Sequence, residues 1–347
     1  MKNYLMIFFS LILFSCQEEI TLDLPQSASK LVVEGYIEPG FPPYVILTKN
    51  QGYFDPIDPN TYNDLFVTDA ESVIVWYYND NGEKEIRILE RIEGLDSLPP
   101  IYTVSVSDYD FLDENPSPYE FSKAERTYYL EIKWNNDTIT AQTFIPKATP
   151  LDCLWVEQSE TAADSTYKCE IRAVYSDPAD QQNNILIKSK RLQHYTFNED
   201  KCKPSDNSPD FLLKLVDAGS DILINGESFE TYFPRPRDNG ERGFPNGKYN
   251  ASRTRECADS TFEIKEDIVL IKFCQIDESS MKFWRGLVRQ AGTNGNPFSE
   301  PANLVSNING GLGVWTGYSP VYYKVPIVKN TTIDGEFPYI PTIFDIF

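Results

Sequence analysis

The sequence predicts a mainly β protein of two domains, the second carrying one amphipathic helix. Three observations carry this expectation. Phe, Tyr and Trp make up 14% of the 347 residues, and aromatic side chains favour pleated, half-buried strands. Short runs with period-two alternation recur between turns rich in Pro, Gly, Asn and Asp. Apolar residues at helical spacing are confined to one segment, Ser279 to Ala291.

Residues 1–15 read as a secretory leader. Lys2 supplies the positive end, and Tyr4 to Phe14 form an apolar run broken only by Ser10 and too short to span a bilayer. The leader ends in Leu13-Phe14-Ser15-Cys16, which resembles the bacterial lipobox, in which the cysteine becomes the acylated N-terminus. Cys16 is therefore the expected lipid-attachment residue. Several acyl chains, palmitate among them, anchor firmly where one alone is marginal. Residues 16–28 are polar and proline-containing and read as anchor and tether. Gln17-Glu18-Glu19 resembles the export signal that carries lipoproteins of the Bacteroidota to the outer face of the outer membrane. The expected location is the cell exterior, with outer-membrane lipid as a partner through acylated Cys16.

The first domain, residues 29–146, contains roughly seven strands. Lys30 to Ile37 and Tyr44 to Thr48 flank a Pro39-Gly40 turn. Ser72 to Tyr78 and Glu85 to Leu89 flank Asn79-Asp80-Asn81-Gly82, whose Asn-Gly pair suits a type I′ hairpin turn. Tyr102 to Val106, Thr127 to Trp134 and Thr138 to Phe144 follow. Turns at this spacing indicate an immunoglobulin-like or transthyretin-like β-sandwich. Pro146 to Pro150 mark the boundary to the second domain, residues 147–347. There Lys168 to Tyr175, Ile185 to Ser189 and Phe262 to Cys274 are strand-like. Asn198 to Asp210 and Pro234 to Asn250 read as long loops. The helix has Asp277 or Ser279 as its cap, and Phe283, Trp284, Leu287, Val288 and Ala291 form a core-facing stripe.

With 52 acidic against 31 basic side chains and a formal charge of −21, the chain is excluded from nucleic-acid binding and from electrostatic attraction to anionic headgroups. Besides Cys16 there are cysteines at 153, 169, 202, 257 and 274. Cys153 with Cys169, and Cys257 with Cys274, fall on either side of expected hairpins. No Cys-x-x-Cys pair and a single histidine, His194, argue against zinc. No nucleophile elbow accompanies His194, and no cofactor is indicated. Asp55, Asp58, Asn60 and Asp64 offer oxygen atoms in a loop but lack the spacing of an EF-hand.

Candidate contact residues are aromatic and basic side chains in expected loops: Tyr53, Phe54, Tyr232, Phe233 and Phe244, with Arg235 and Arg237 for an acidic partner or a carboxylate. Rings on rigid loops supply contact area at low entropic cost, and Arg favours bidentate contacts.

The helix is followed by Asn296-Pro297-Phe298-Ser299-Glu300-Pro301 and by Ser306-Asn307-Ile308-Asn309-Gly310-Gly311-Leu312-Gly313-Val314-Trp315-Thr316-Gly317-Tyr318. This signature, at 296–318, resembles the closing segment of the domain-of-unknown-function family 4249. These are outer-membrane lipoproteins of Bacteroidota often encoded beside a TonB-dependent receptor. Leu31-Val32-Val33-Glu34-Gly35 and Thr68-Asp69-Ala70-Glu71-Ser72-Val73 agree with it. Read physically, the glycines permit positive φ or close backbone approach, as structural punctuation or as a surface for a partner strand, and Asn307 is placed to bond a turn. The resemblance implies a non-catalytic surface lipoprotein that captures a ligand for a TonB-dependent transporter. The alternatives are a hydrolase acting on glycan or peptide and a structural or adhesive protein.

Overall fold

The computed structural model describes residues 29–51, 61–92, 99–110, 117–158, 169–192, 197–198, 203–204, 212–233, 253–257, 260–264, 267–293, 303–327, 333–335, 337–342 and 346. The protein is mainly β. In the first half, β1 (Leu31–Ile37), β2 (Tyr44–Lys49), β3 (Ser72–Tyr78), β4 (Lys84–Arg91), β5 (Ile101–Thr103), β6 (Arg126–Trp134) and β7 (Asp137–Ile145) follow in order. The second half contributes β8 (Cys153–Gln158), β9 (Cys169–Ser176), β10 (Asn184–Leu192), β11 (Phe197–Asn198), β12 (Lys203–Pro204), β13 (Lys214–Ser220), β14 (Ser228–Phe233), β15 (Arg253–Cys257), β16 (Ser260–Ile264) and β17 (Asp267–Gln275). Helix α1 (Glu278–Thr293) then leads to β18 (Ile308–Asn309), β19 (Leu312–Gly317), β20 (Ser319–Ile327), β21 (Ile333–Gly335) and β22 (Pro338–Tyr339).

Two hairpins divide the turn chemistry differently from expectation. Between β3 and β4 only Gly82 has positive φ, at 78°. Its N–H donates to the Asn79 carbonyl at 2.8 Å, and Asn79 N–H donates to the Glu83 carbonyl at 2.9 Å. This is a three-residue loop ending in a left-handed glycine, not a two-residue type I′ turn. The hairpin with two consecutive left-handed residues joins β6 and β7, where Asn135 and Asn136 have φ of 51° and 64°. Asn tolerates that region because its short polar side chain bonds locally.

Alternation buries one face of each early strand. Val73 and Val75, Tyr128, Leu130 and Ile132, and Ile139, Ala141 and Ile145 point into one core with Leu31, Val33, Val45 and Leu47. The sheet around this core runs β18-β7-β6-β3-β4-β5-β2-β1-β19, so both of its outermost strands come from the glycine-rich signature. β19 pairs in parallel with β1, Gly35 facing Trp315, and β18 pairs antiparallel with β7. The sequence places 308–317 in the second domain, yet these residues complete the first sheet.

The glycines are explained by this insertion. A Cβ on Gly35 would lie 2.6 Å from Trp315 Cε3, and Gly313, at φ +98°, would drive a Cβ to 2.0 Å from the Val33 carbonyl oxygen. Trp315 is fully buried, with its indole N–H donating to the Tyr128 carbonyl at 3.3 Å. Asn307 acts as a substitute strand. Its Nδ2 donates to Trp315 O at 2.7 Å, and its Oδ1 accepts from Trp315 N at 2.9 Å. The partner strand that the signature serves is the chain's own.

The second half is a sandwich of a five-stranded sheet, β13-β10-β17-β20-β22, and a four-stranded sheet, β14-β9-β8-β21. Leu154, Val156, Ile171, Tyr175 and Phe233 meet Val269, Ile271, Phe273 and Val325 in its core. The other face of the five-stranded sheet packs on α1 and on the first sandwich through Leu186, Cys274, Trp284, Tyr36, Val314 and Tyr318. It is thus a middle layer, which explains the continuous apolar run in β17. Helix α1 buries Phe283 and Trp284 as its spacing predicts, while Ala291 is exposed because the helix end runs past the sheet.

Residues 29–150 produced alone are expected not to unfold cooperatively in circular dichroism, and a peptide covering 303–318 added in trans should restore a transition. Gly313→Ala should cost about 3 kcal/mol or more by combining left-handed strain with overpacking. Gly82→Ala, with nothing near its added methyl group, should cost only about 1 kcal/mol.

Candidate functional site

The seam between the two sandwiches concentrates the unusual chemistry. Glu38, just past β1, and Lys272, in the centre of β17, are both buried and form an ion pair. Tyr322 Oη donates to the second Glu38 oxygen at 2.7 Å. The pair joins residues 234 apart in sequence. In such surroundings the carboxylate and ammonium are held by each other and by the hydroxyl, and removing one leaves the other buried and unpaired.

Lys188, on β10, extends into an aromatic cage. Its Nζ lies 4.3 Å from the Trp284 ring centroid, 5.0 Å from that of Tyr36 and 5.2 Å from that of Tyr318, and it donates to Tyr318 Oη at 3.2 Å. Tyr36 stacks on Tyr318 with centroids 5.3 Å apart. Such cages favour a cation, but burial and the nearby Lys272 push the Lys188 pKa down to about 8. Burial raises the phenols of Tyr36, Tyr44, Tyr318 and Tyr322 well above their ordinary value, nearby carboxylates adding to the shift.

Asp277 fastens the helix to the first sandwich. One oxygen accepts from Ser279 Oγ at 2.8 Å and Ser280 N at 2.7 Å, capping α1. The other accepts from Thr143 Oγ1 at 2.7 Å and Phe144 N at 2.9 Å on β7. Gln275 likewise holds the linker, accepting from Thr149 N at 2.9 Å and donating to Thr149 O at 3.2 Å. Beside these ties a cleft of about 370 Å³ opens between the sandwiches, lined in part by Glu125, Phe144, Gln181, Gln182 and Asn184.

A second feature is the outer face of the first sheet. Cross-strand partners place Ile86 beside Trp76 and Ile88 beside Ile74, with Tyr129 on the other side of Trp76. Tyr78, Ile86, Ile88 and Phe144 are 54%, 44%, 63% and 41% exposed. Trp76 and Tyr129 stack at 5.6 Å, and Lys84 Nζ covers the Trp76 ring at 3.7 Å. Next to them a groove of about 510 Å³ is lined by Trp76, Tyr129, Glu131, Gln142, Asn307 and Asn309. Apolar side chains gathered on one accessible face mark interaction surfaces.

The residues nominated from sequence fare unevenly. Tyr232 and Phe233 lie on β14, not in a loop, and alternation separates them: Tyr232 is 71% exposed, whereas Phe233 is buried in the second core. Phe233 is therefore a packing residue, set against Phe273 at 6.3 Å. Tyr53, Phe54, Arg235, Arg237 and Phe244 lie outside the described residues, as do Cys16 and His194. The expected cysteine pairings do not form. Cys153 is opposite Val174 and Cys169 opposite Gln158, too far apart along the strands to bridge. Cys153 and Cys274 are free, and burial pushes the Cys274 thiol up to about 12. Of the four loop oxygen donors weighed for calcium, only Asp64 is described, and it is exposed. Among the described residues no group of three His, Cys, Asp or Glu is placed to hold a metal ion.

Sequence reasoning missed Glu38, Lys188, Lys272, Asn184 and the outer sheet face. The available signal was Lys272 inside Val-Leu-Ile-Lys-Phe-Cys, a charge where a buried strand demands none. Its partner was not legible, because nothing local links it to Glu38.

Lys272→Met alone should destabilise the fold by about 3–5 kcal/mol, and the double change Glu38→Leu with Lys272→Met by much less, as read by urea unfolding. Lys188 should titrate near 8 in carbon NMR of reductively methylated protein, with surface lysines near 10.5. Between those values the unfolded chain holds a proton that the folded one has released, so the contribution of Lys188 to stability should rise with pH across this window.

No curated protein matches the chain. Residues 17–323 match the family described as Domain of unknown function (DUF4249), a span that takes in the first sandwich, the helix, the glycine-rich signature and the second sandwich as far as the middle of β20. The chain belongs to that family.

Proposed function

We propose that this protein is a non-catalytic lipoprotein of the outer-membrane surface, anchored through acylated Cys16, which captures a ligand for a TonB-dependent transporter. The observation that carries this reading is the exposed apolar face of Tyr78, Ile86, Ile88 and Phe144 on the first sheet. A monomer keeps such faces small, whereas a partner-binding surface gathers aromatic and aliphatic anchors. The lipobox-like leader and the DUF4249 membership are consistent with it. Anchoring confines the protein to the membrane that holds the transporter, and raises their effective concentration.

Affinity purification of the anchored protein in mild detergent, followed by mass spectrometry, is expected to recover one TonB-dependent receptor in stoichiometric amount. Ile86→Asp with Ile88→Asp should lower that recovery about tenfold or more, and Cys16→Ala should abolish anchoring. Recovery of the lipoprotein alone, in every detergent that preserves its fold, would contradict the proposal.

A further inference from the structure

The groove beside Trp76 and Tyr129 is built from two cross-strand rows. Trp76, Tyr129 and Gln142 are successive partners across β3, β6 and β7. Ile74, Glu131, Thr140 and Asn309 are successive partners across β3, β6, β7 and β18. Alternation therefore sets the Tyr129 ring and the Glu131 carboxylate on one face, about 7 Å apart along β6. Asn307 and Ser279 also line the groove, but Asn307 is held by Trp315 and Ser279 by Asp277.

Four lining side chains are not engaged. Glu131, Thr140, Gln142 and Asn309 make no side-chain hydrogen bond or ion pair among the described residues, and none of their polar atoms is closed to solvent. A ligand in the groove can reach each of them. Glu131 is only partly exposed, and it is the single charged side chain among the described lining residues. Lys133, next on that face of β6, is exposed and lies outside the lining. A carboxylate set beside an aromatic ring, in a chain of formal charge −21, repels anions and attracts a cation. The adjoining ring already holds one, since Lys84 Nζ lies 3.7 Å over Trp76.

The chemistry of the lining restricts which cation fits. A guanidinium stacks its plane on an aromatic ring and gives a carboxylate two parallel hydrogen bonds, whereas an ammonium offers only a point charge. Gln142 and Asn309 carry carboxamides, which match the donor and acceptor of a peptide main chain. A volume of about 510 Å³ falls in the range of small-ligand sites, so the groove admits a short stretch of extended chain and not a folded surface. We infer that this groove binds a peptide segment bearing an arginine, its guanidinium on the Tyr129 ring and the Glu131 carboxylate and its main chain on Gln142 and Asn309. The inference rests on the capture reading above, for which it names the ligand class.

The test is saturation-transfer NMR on the full chain in a nonionic detergent. End-capped peptides Ala-Ala-X-Ala-Ala serve as probes, with arginine, lysine, citrulline or glutamate as X, and agmatine supplies the guanidinium without a peptide. The arginine peptide should bind about tenfold or more tighter than the citrulline peptide, which has its shape without its charge. The lysine peptide should fall between them, and the glutamate peptide should not bind. Glu131→Gln should weaken the arginine peptide about tenfold or more, and Lys133→Glu should strengthen it about threefold. Asp180→Asn, which removes an exposed carboxylate of the second sandwich, should leave binding unchanged. The gain expected from Lys133→Glu decides the matter where Glu131→Gln fails to fold. Absence of binding, equal binding of the arginine and citrulline peptides, arginine binding that ignores both β6 variants, or agmatine binding as tight as that of the peptide would overturn the inference. A receptor recovered without peptide binding removes the ligand class alone, and peptide binding without a receptor removes the transporter role alone.

Discussion

The parallel pairing of β1 with β19, and the seating of Trp315 on Gly35, is the constraint on which the rest of the fold depends. Without it the first sheet would have two open edges, at β1 and β7, and a cavity where the indole sits. Exposed edges of this length invite pairing with other chains, and loss of a buried Trp costs about 3–5 kcal/mol. Both edges are covered by one short segment of the second half, and the turn through Gly310 and Gly311 lets it pass from β7 to β1. The glycines are required at the points of closest approach. At Gly313 even one methyl group would collide with the backbone of β1.

Once β19 is inserted, the two halves become neighbours by covalent necessity, since β20 continues from it into the middle layer of the second sandwich. The seam then carries polar groups that neither half could bury alone. Glu38 and Lys272 come from different sandwiches and neutralise each other. Asp277 caps a helix with one oxygen and holds β7 with the other. Buried ion pairs of this type contribute specificity of arrangement more than net stability. A seam fixed at these points holds the adjoining cleft in one shape.

Much of the fold was legible from local pattern. The alternation in β3, β6 and β7 identified strands, and the stripe through Phe283 and Trp284 identified the helix and its packing side. Turn type was less legible. Asn-Gly between β3 and β4 formed a three-residue loop, while Asn135-Asn136 took the left-handed pair, because loop length and strand register select among turns that similar residues allow. The long-range features were not legible. No local property of Gly-Gly-Leu-Gly-Val-Trp says that it crosses to β1, and Phe233 was misjudged because it abuts Pro234, where the long loop was expected, although it is the last residue of a strand. Asn184 is one amide among four consecutive amides, and no local signal tells that it and Asn183 are buried while Gln181 and Gln182 are exposed.

The picture that emerges is of one interlocked body, with an apolar face on the first sheet and a polar cleft where that sheet meets the second sandwich, Phe144 belonging to both. Interlocking is the claim on which this arrangement stands, and native-state hydrogen exchange of the full chain across a denaturant series tests it most directly. The slowest amides of β1, β6, β17 and β19 should converge on one opening free energy and one denaturant dependence, as a single cooperative unit requires. If β1 and β6 open at a lower free energy than β17, with β19 following β17, the first sandwich is not locked by the C-terminal strand and the account is wrong.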